Sequence, residues 1–438
     1  MERFEHQLYV NAEDFDDRTA IADGLQSVSY RELWTRIESR AAQLGELDGR
    51  AMVFRAAPSV DFATEYFAIH RAGGIAVPVD RNCPSELFER LSGQAEKAQL
   101  PADTADVLFT TGTTGSAKGV VVSHTAILAS VRNLISAQGY DHRQRMIIHG
   151  PLNHIGSLSK LWTALYVGAE VVLMDGLKDL SAFFGYIEQS PWRATTFLVP
   201  TQIQMLLRFC TTELQKCAKN IDFIETGAAP IALADMQALR RALPSTRLYN
   251  TYASTETGIV CTYDYQQGEC LEGCLGRPEW DTTVSVDESG HVVVQGPTLM
   301  SGYLADDGTL SDRPQNATLR TADLGRIDPE GRLRLQGRED DVINVGGFKV
   351  SPEEVENAAM GLPGLADCIC IATRHKVLGT QLKLLYVAKN ADSIEKSALI
   401  GWFKERLEPH KIPTLYERVE SIARTFNGKR DRKRYRED

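Results

Sequence analysis

The chain has 438 residues, 43% of them apolar and 24% charged, and a formal net charge of −10. That length is too great for one ordinary domain and suits two or three, with a composition typical of folded globular proteins. The acidic balance argues against a general nucleic-acid binder and against attraction to anionic membranes. No apolar run reaches the roughly 18 residues that a membrane-spanning helix needs. The opening Met1-Glu2-Arg3-Phe4-Glu5-His6 lacks the apolar core of a secretory leader, so a cytoplasmic location is expected.

In chain order, Ser29-Tyr30-Arg31-Glu32-Leu33 opens a helical pattern with Leu33, Ile37, Ala41 and Leu44 on one face. Residues 60–72 read as a second helix, stopped by Gly73-Gly74, and Ile75-Ala76-Val77-Pro78-Val79 as a buried strand. Val107-Leu108-Phe109 leads into a loop of threonines and glycines, and Val120-Val121-Val122 resumes as a strand. Residues 169–174 and 194–199 are further strands. This alternation predicts an α/β architecture with helices flanking sheets. After Gly273 the texture changes to short β-like runs, Val284-Ser285-Val286, His291-Val292-Val293-Val294 and Leu333-Arg334-Leu335, which read as a small antiparallel β unit. A polar stretch at 337–341 reads as a linker, and a mixed α+β pattern runs from there to residue 438.

Eight cysteines are scattered along the chain, with Cys270 and Cys274 four apart and Cys368 and Cys370 two apart. Structural zinc sites use tighter paired spacings, so these residues read as free thiols that fill small apolar spaces. The strongest chemical signal is Thr110-Thr111-Gly112-Thr113-Thr114-Gly115-Ser116-Ala117-Lys118-Gly119. Glycines let backbone N–H groups approach an anion, hydroxyls add donors, and lysine adds charge, so the loop suits a polyphosphate. Gly115 and Lys118 are separated by two residues, which breaks the spacing of a Walker A loop.

This loop resembles the phosphate loop of the acyl-adenylate-forming superfamily, which includes acyl-CoA synthetases, peptide-synthetase adenylation domains and luciferases. Further segments match that family in order: Tyr30-Arg31-Glu32-Leu33; 72–80; Asn250-Thr251-Tyr252-Ala253-Ser254-Thr255-Glu256-Thr257-Gly258; 321–326; Gly337-Arg338-Glu339-Asp340-Asp341; 346–356; and Asn427-Gly428-Lys429. The resemblance implies ATP, Mg²⁺ and coenzyme A as cofactors and co-substrates. It places Thr111, Gly112, Thr113, Thr114, Gly115 and Lys118 on the ATP phosphates, with Glu256 and Thr111 holding Mg²⁺. It also implies that Thr255 assists at the phosphate and that Asn250 lies in the nucleotide-binding central motif. Tyr252 would stack on adenine, Gly227, Ala228 and Ala229 would line the adenine and substrate clefts, and Asp323 and Arg338 would take the ribose hydroxyls. Lys429 would neutralise charge as carboxylate oxygen attacks the α-phosphorus. Gly347, Phe348 and Lys349 would serve the thioester-forming face, with Asp340 as the hinge between the two half-reactions.

The segment Pro151-Leu152-Asn153-His154-Ile155-Gly156 bears on the acid. In the family, amino-acid-activating members place an aromatic residue and then Asp where this chain has His154 and Ile155. An apolar Ile155 cannot pair with a buried ammonium, so an α-amino acid is not expected. The His-Ile pair resembles acyl- and aryl-CoA ligases, including o-succinylbenzoate–CoA ligases, with His154 a candidate gate at the carboxylate. Two departures stand out: only residues 81–109 separate Val79-Asp80 from the phosphate loop, a shortening between 80 and 105, and Ala322 replaces the usual glycine before Asp323.

The expectation is therefore an α/β protein. A large multi-layer N-terminal domain, 1–339, carries α/β sheets and a small β unit, and a small mobile α+β domain, 340–438, follows. The expected activity is ATP-dependent carboxylate–CoA ligation on a small-molecule carboxylic acid. Two rivals are an acyl-AMP ligase that loads an acyl carrier protein and a degenerate ATP or acyl-AMP binding protein.

Overall fold

The computed structural model describes residues 3–111, 117–305, 307–311, 314, 316–345, 348–375, 379–389, 394–425 and 430–435. Two sheets organise the large part of the molecule. One has thirteen strands and the other six, the latter in the order 310–311, 302–304, 117–123, 104–111, 75–80, 51–56. Between them lies a layer of helices that includes Phe4–Asp14, Tyr30–Leu44, Val60–Arg71, His124–Gln138 and Ile155–Tyr166. The main core is the apolar filling of that layer, where Phe67, Leu134, Leu158, Leu161 and Trp162 meet Leu108 and Val120 of one sheet and Val171 and Phe223 of the other. Helices Leu180–Glu188, Pro200–Phe209 and Leu233–Ala242 cover the outer face of the large sheet. Helix Ser85–Glu96 covers the outer face of the small one.

The local rules read from the sequence act as expected. Ser29 and Glu32 form a reciprocal capping box, Ser29 Oγ accepting from Glu32 N at 3.2 Å and Glu32 Oε2 accepting from Ser29 N at 2.8 Å; such a cap contributes about 1 kcal/mol. Gly73 follows the helix Val60–Arg71 with φ of +77°, a conformation that favours glycine. The shortened region is spanned by the single helix Ser85–Glu96, so strands Ile75–Asp80 and Thr104–Thr111 still pair in parallel.

One feature differs from expectation. The β unit after Gly273 is continuous with the large parallel sheet: Cys274–Pro278 pairs antiparallel with Gly258–Asp264, and strands 333–338, 318–327, 291–295 and 283–286 extend the sheet outward. Edge strands carry unpaired backbone groups, and continuing the ladder satisfies them on that side.

Strand Leu333–Arg338 runs into a 3-10 turn, Glu339–Asp341, and then into the small C-terminal part. There a three-stranded sheet of 365–375, 379–388 and 415–418 packs against helices Pro352–Met360 and Lys396–Lys404. Two basic residues after Lys429 are anchored. Arg430 and Arg432 both pair with fully buried Glu356, through contacts that include Arg430 Nη1 to Oε2 at 3.0 Å and Arg432 Nη2 to Oε2 at 2.9 Å. A buried carboxylate demands such partners.

Candidate active site

Two paired strands flank the phosphate-loop segment in sequence. Strands Thr104–Thr111 and Ala117–Ser123 pair antiparallel, with Thr110 opposite Lys118 and Thr111 opposite Ala117. Gly112, Thr113, Thr114 and Gly115 lie outside the described residues, as do Gly347 and Lys429. Thr255 and Glu256 occupy the tight turn between strands Arg247–Ser254 and Gly258–Asp264. The turn is fixed by Ser254 N donating to Thr257 Oγ1 at 3.0 Å and Thr257 N donating to Ser254 Oγ at 3.1 Å.

A short segment that sequence reasoning missed joins the turn to this strand pair. Met300 N donates to the Glu256 carbonyl at 2.9 Å and Ser301 N to the Val121 carbonyl at 2.8 Å. Strand Gly302–Leu304 then pairs with strand Ala117–Ser123, Tyr303 opposite Val120. Tyr303 thereby reaches both charged candidates: its Oη donates to Glu256 Oε1 at 3.0 Å, and its ring lies 4.9 Å from Lys118 Nζ. The acid and the base, more than a hundred residues apart in sequence, meet around one phenol. Nothing local to Tyr303 signals this, because only strand pairing puts it there.

The ribose candidates also converge. Asp323 lies opposite Arg338 in the antiparallel pair of strands Thr318–Ile327 and Leu333–Arg338. Its Oδ1 accepts from Arg338 Nη1 at 2.9 Å and its Oδ2 from Tyr252 Oη at 2.5 Å. Burial, and then the Asp323 charge, push the Tyr252 phenol well above its ordinary range. An ionised carboxylate offers about four lone-pair sites, so Asp323 can accept further donors such as ribose hydroxyls. Ala322 is not among the described non-glycine residues with positive φ, which explains why a methyl is tolerated where the family uses glycine. Asn250 is buried with its amide donating to the Cys274 carbonyl at 2.9 Å, so here it fastens strand to strand.

Gly227, Ala228 and Ala229 follow strand Ile221–Thr226. A Cβ at Gly227 would stand 2.8 Å from the Thr251 carbonyl and 3.3 Å from the Phe197 ring, so the backbones approach closely there. Ala228 holds φ of +64°, a strained conformation for a residue with a side chain. His154 sits at the N-cap position of helix Ile155–Tyr166, and Ile155 packs on the main core. Behind them is a second feature that sequence reasoning missed. Lys160 Nζ pairs with Glu225 Oε1 at 2.7 Å, both side chains almost fully buried. Burial lowers the Lys160 pKa, and Glu225 opposes that shift. In the small part, Phe348 is 57% exposed and stacks on His410 at 4.6 Å. Asp340 lies in the 3-10 turn and Lys349 pairs with Asn344 across a two-stranded sheet.

Two family models match, one described as AMP-binding enzyme over residues 86–304 and one as AMP-binding enzyme C-terminal domain over 354–429. The chain belongs to the AMP-binding enzyme family. It is an enzyme of the AMP-forming acid–thiol ligase type, within the acyl-adenylate-forming superfamily. It is 27% identical to a 2-succinylbenzoate–CoA ligase of Bacillus velezensis, over 76% of this chain and 69% of that protein. It is 25% identical to an L-proline–[L-prolyl-carrier protein] ligase of Pseudomonas fluorescens, over 95% of each. In fold it is similar to o-succinylbenzoate CoA synthetase of Bacillus subtilis solved with its acyl-adenylate, with a TM-score of 0.83 at 22% identity over 99% of this chain and 98% of that one. ATP-bound MatB of Rhodopseudomonas palustris gives a TM-score of 0.82 at 21% identity, over 98% of both chains. Among the described residues no helix is long and apolar enough to cross a membrane.

Proposed function

We propose that this AMP-binding enzyme is an ATP-dependent carboxylate–CoA ligase. The single observation that carries the reading is that one strand and the turn after it hold two polar clusters, Tyr252 of strand Arg247–Ser254 with Asp323 and Arg338, and Glu256 of the turn with Tyr303 and Lys118.

In the first half-reaction a carboxylate oxygen of the acid attacks the α-phosphorus of ATP, forming acyl-AMP as pyrophosphate leaves. Lys118 and the hydroxyl-rich loop with Thr111, Gly112, Thr113, Thr114 and Gly115 hold the departing phosphates, while Thr255 assists. Mg²⁺, when bound, neutralises phosphate charge; Glu256 and Thr111 would supply the hard oxygen ligands it prefers. Tyr303 fixes the Glu256 carboxylate so that it does not swing toward Lys118. Asp323 and Arg338 orient the ribose, Tyr252 and the 227–229 backbone border the adenine, and Lys429 offsets the charge that builds at the α-phosphate. In the second half-reaction the CoA thiol forms the C–S bond, AMP leaves, and the thiol proton passes to solvent. For this step the small domain, 340–438, turns on the large one, 1–339, about Asp340 and brings Gly347, Phe348 and Lys349 to the cleft.

The acid is one without an α-ammonium, since Ile155 offers no carboxylate partner for it. His154 borders its carboxylate. A second reading keeps the same adenylation but passes the acyl group to a carrier-protein phosphopantetheine; the carrier-protein ligase similarity over 95% of each chain favours it.

The test is AMP and thioester formation from ATP, Mg²⁺ and a panel of aliphatic, aryl and dicarboxylic acids, with and without CoA, read by mass spectrometry. An acyl-CoA product is expected. AMP without a CoA thioester transfers support to the carrier-protein reading, and no AMP with any acid overturns both. Lys429→Ala is expected to slow adenylation sharply while the protein stays folded, and Glu256→Ala to weaken Mg-ATP use. Unchanged adenylation or unchanged Mg²⁺ dependence rejects the corresponding role.

A further inference from the structure

Away from the nucleotide cleft, the helical layer between the two sheets holds a cluster of ionisable side chains in an otherwise apolar core. Glu5 comes from helix Phe4–Asp14, His70 from Val60–Arg71, Asp106 from strand Thr104–Thr111, and His124 opens helix His124–Gln138. Their exposures are 4%, 1%, 0% and 3%. His70 is held from both sides, Nδ1 lying 3.0 Å from Glu5 Oε1 and Nε2 lying 3.0 Å from Asp106 Oδ1 and 3.1 Å from the Ala105 carbonyl. The His124 ring stands edge-on to His70, with centroids 5.1 Å apart. One ligand atom from each of Glu5, His70 and His124 falls within 4.8 Å of the other two, the one such trio found among the described residues.

Two atoms of this cluster are buried without a hydrogen-bond partner, Glu5 Oε2 and His124 Nδ1. Each such group costs about 1–3 kcal/mol, more when charged, unless something fills the gap. The charges do not balance either. Two carboxylates face one imidazolium at most if His124 is neutral, and the nearby guanidinium of Arg3 is spent on the His70 carbonyl at 3.4 Å. A single dication would resolve both problems at once.

We propose that Glu5, His70 and His124 form a structural binding site for a divalent transition-metal ion of the zinc class. The donor chemistry fits, since zinc takes imidazole nitrogen and carboxylate oxygen in tetrahedral sites with bonds of about 2.0–2.2 Å. That geometry separates neighbouring ligand atoms by about 3.3 Å, and Glu5 and His70 already stand 3.0 Å apart. The unpartnered Oε2 lets Glu5 present either oxygen to the ion, and a water takes the remaining position. Asp106 completes the arrangement from outside. A metal-bound histidine usually gives its other N–H to a carboxylate, which fixes its tautomer and raises its basicity. Asp106 is itself fixed, its Oδ2 accepting from Tyr66 Oη at 2.7 Å while Tyr66 Oη accepts from Trp162 Nε1 at 3.0 Å. On binding, the metal takes the Nδ1 position of His70, any proton there passes to solvent, and Nε2–H stays on Asp106. Two carboxylates and two neutral imidazoles then balance the dication. The bound ion would tie three helices to the strand that carries the phosphate loop at its far end.

The test uses the full chain, expressed with zinc in the medium and passed through gel filtration, with metal measured by mass spectrometry. About one zinc per chain is expected, and chelation is expected to lower the melting temperature. Glu5→Gln and His124→Ala should reduce the zinc to background. Cobalt(II) reconstitution gives a check that needs no variant, because a nitrogen–oxygen site shows visible d–d bands without thiolate-to-cobalt charge transfer. Background zinc with no cobalt bands overturns the proposal. So does zinc content unchanged in folded variants, or a thiolate charge-transfer band, which would place the metal on the cysteines. Should the variants fail to fold, the wild-type cobalt spectrum decides alone.

Discussion

The Glu356 anchor makes the sharpest prediction, because it links stability to the position of the candidate catalytic lysine. Glu356 is fully buried and accepts from Cys370 N at 2.7 Å, Arg430 Nη1 at 3.0 Å and Arg432 Nη2 at 2.9 Å. Glu356→Gln keeps the size of the side chain but removes its charge and turns one oxygen into a donor that faces guanidinium. Breaking one partner of a buried ion pair costs about 3–5 kcal/mol. Here the loss should fall at the lower end. Arg430 keeps Asp367 Oδ1 at 3.2 Å, and Arg432 keeps the Cys370 carbonyl at 3.1 Å. At about 4–8 °C per kcal/mol for a domain of this size, a loss of about 3 kcal/mol lowers a small-domain transition by roughly 12–24 °C. Calorimetry on the full chain reads that shift. Adenylation should slow as well, since Arg430 is the residue directly after Lys429. A transition within about 2 °C of wild type would refute the reasoning, showing that the pair offers no more than an exposed one.

Three further outcomes are expected. Tyr303→Phe removes a hydrogen bond to a charged group, worth about 1.5–3 kcal/mol of stability, so the melting temperature should fall by a few degrees and kcat/KM for ATP by about tenfold; unchanged ATP kinetics would remove Tyr303 from the site. Asp323→Asn should raise the KM for ATP far more than that for the acid, and equal effects on both would place Asp323 outside the ribose site. Glu353 titrates at about 7, raised first by burial and then by the Glu356 charge. Its folded-state pKa lies above the unfolded one, so its contribution is full below the unfolded value near 4.3 and is lost as pH rises toward 7. Glu353→Gln should therefore raise the melting temperature at pH 8 and leave it unchanged at pH 4; a gain at both would point to a cause other than ionisation.

Much of the fold was legible because its rules are local. Ser29 and Glu32 announce a helix start, Gly73 a helix end, and the apolar run 75–79 a buried strand, and each holds in the structure. The small antiparallel unit was legible as strands but not as the continuation of a thirteen-stranded sheet, since nothing local states which strand Cys274–Pro278 will pair with. Nothing local marks Arg430 and Arg432 as anchored, because their partner Glu356 lies more than seventy residues earlier in the chain.

The candidate site divides along the same line. The loop's own chemistry singled out Lys118 in the sequence, and the family resemblance singled out Glu256 and Asp323. Only the tertiary structure set Tyr303 between the first two and Tyr252 and Arg338 on the third. The buried Lys160–Glu225 pair and the Glu5–His70–His124 cluster left no sequence signal at all. Their members read as ordinary polar residues on separate elements. What gives them meaning is the dry interior in which packing brings them together, where an unpaired charge is costly and a partner is required. The sequence by itself determined the local elements and the chemical class of the cleft. The packing of the layers decided which charges meet, because those encounters depend on contacts made far apart along the chain.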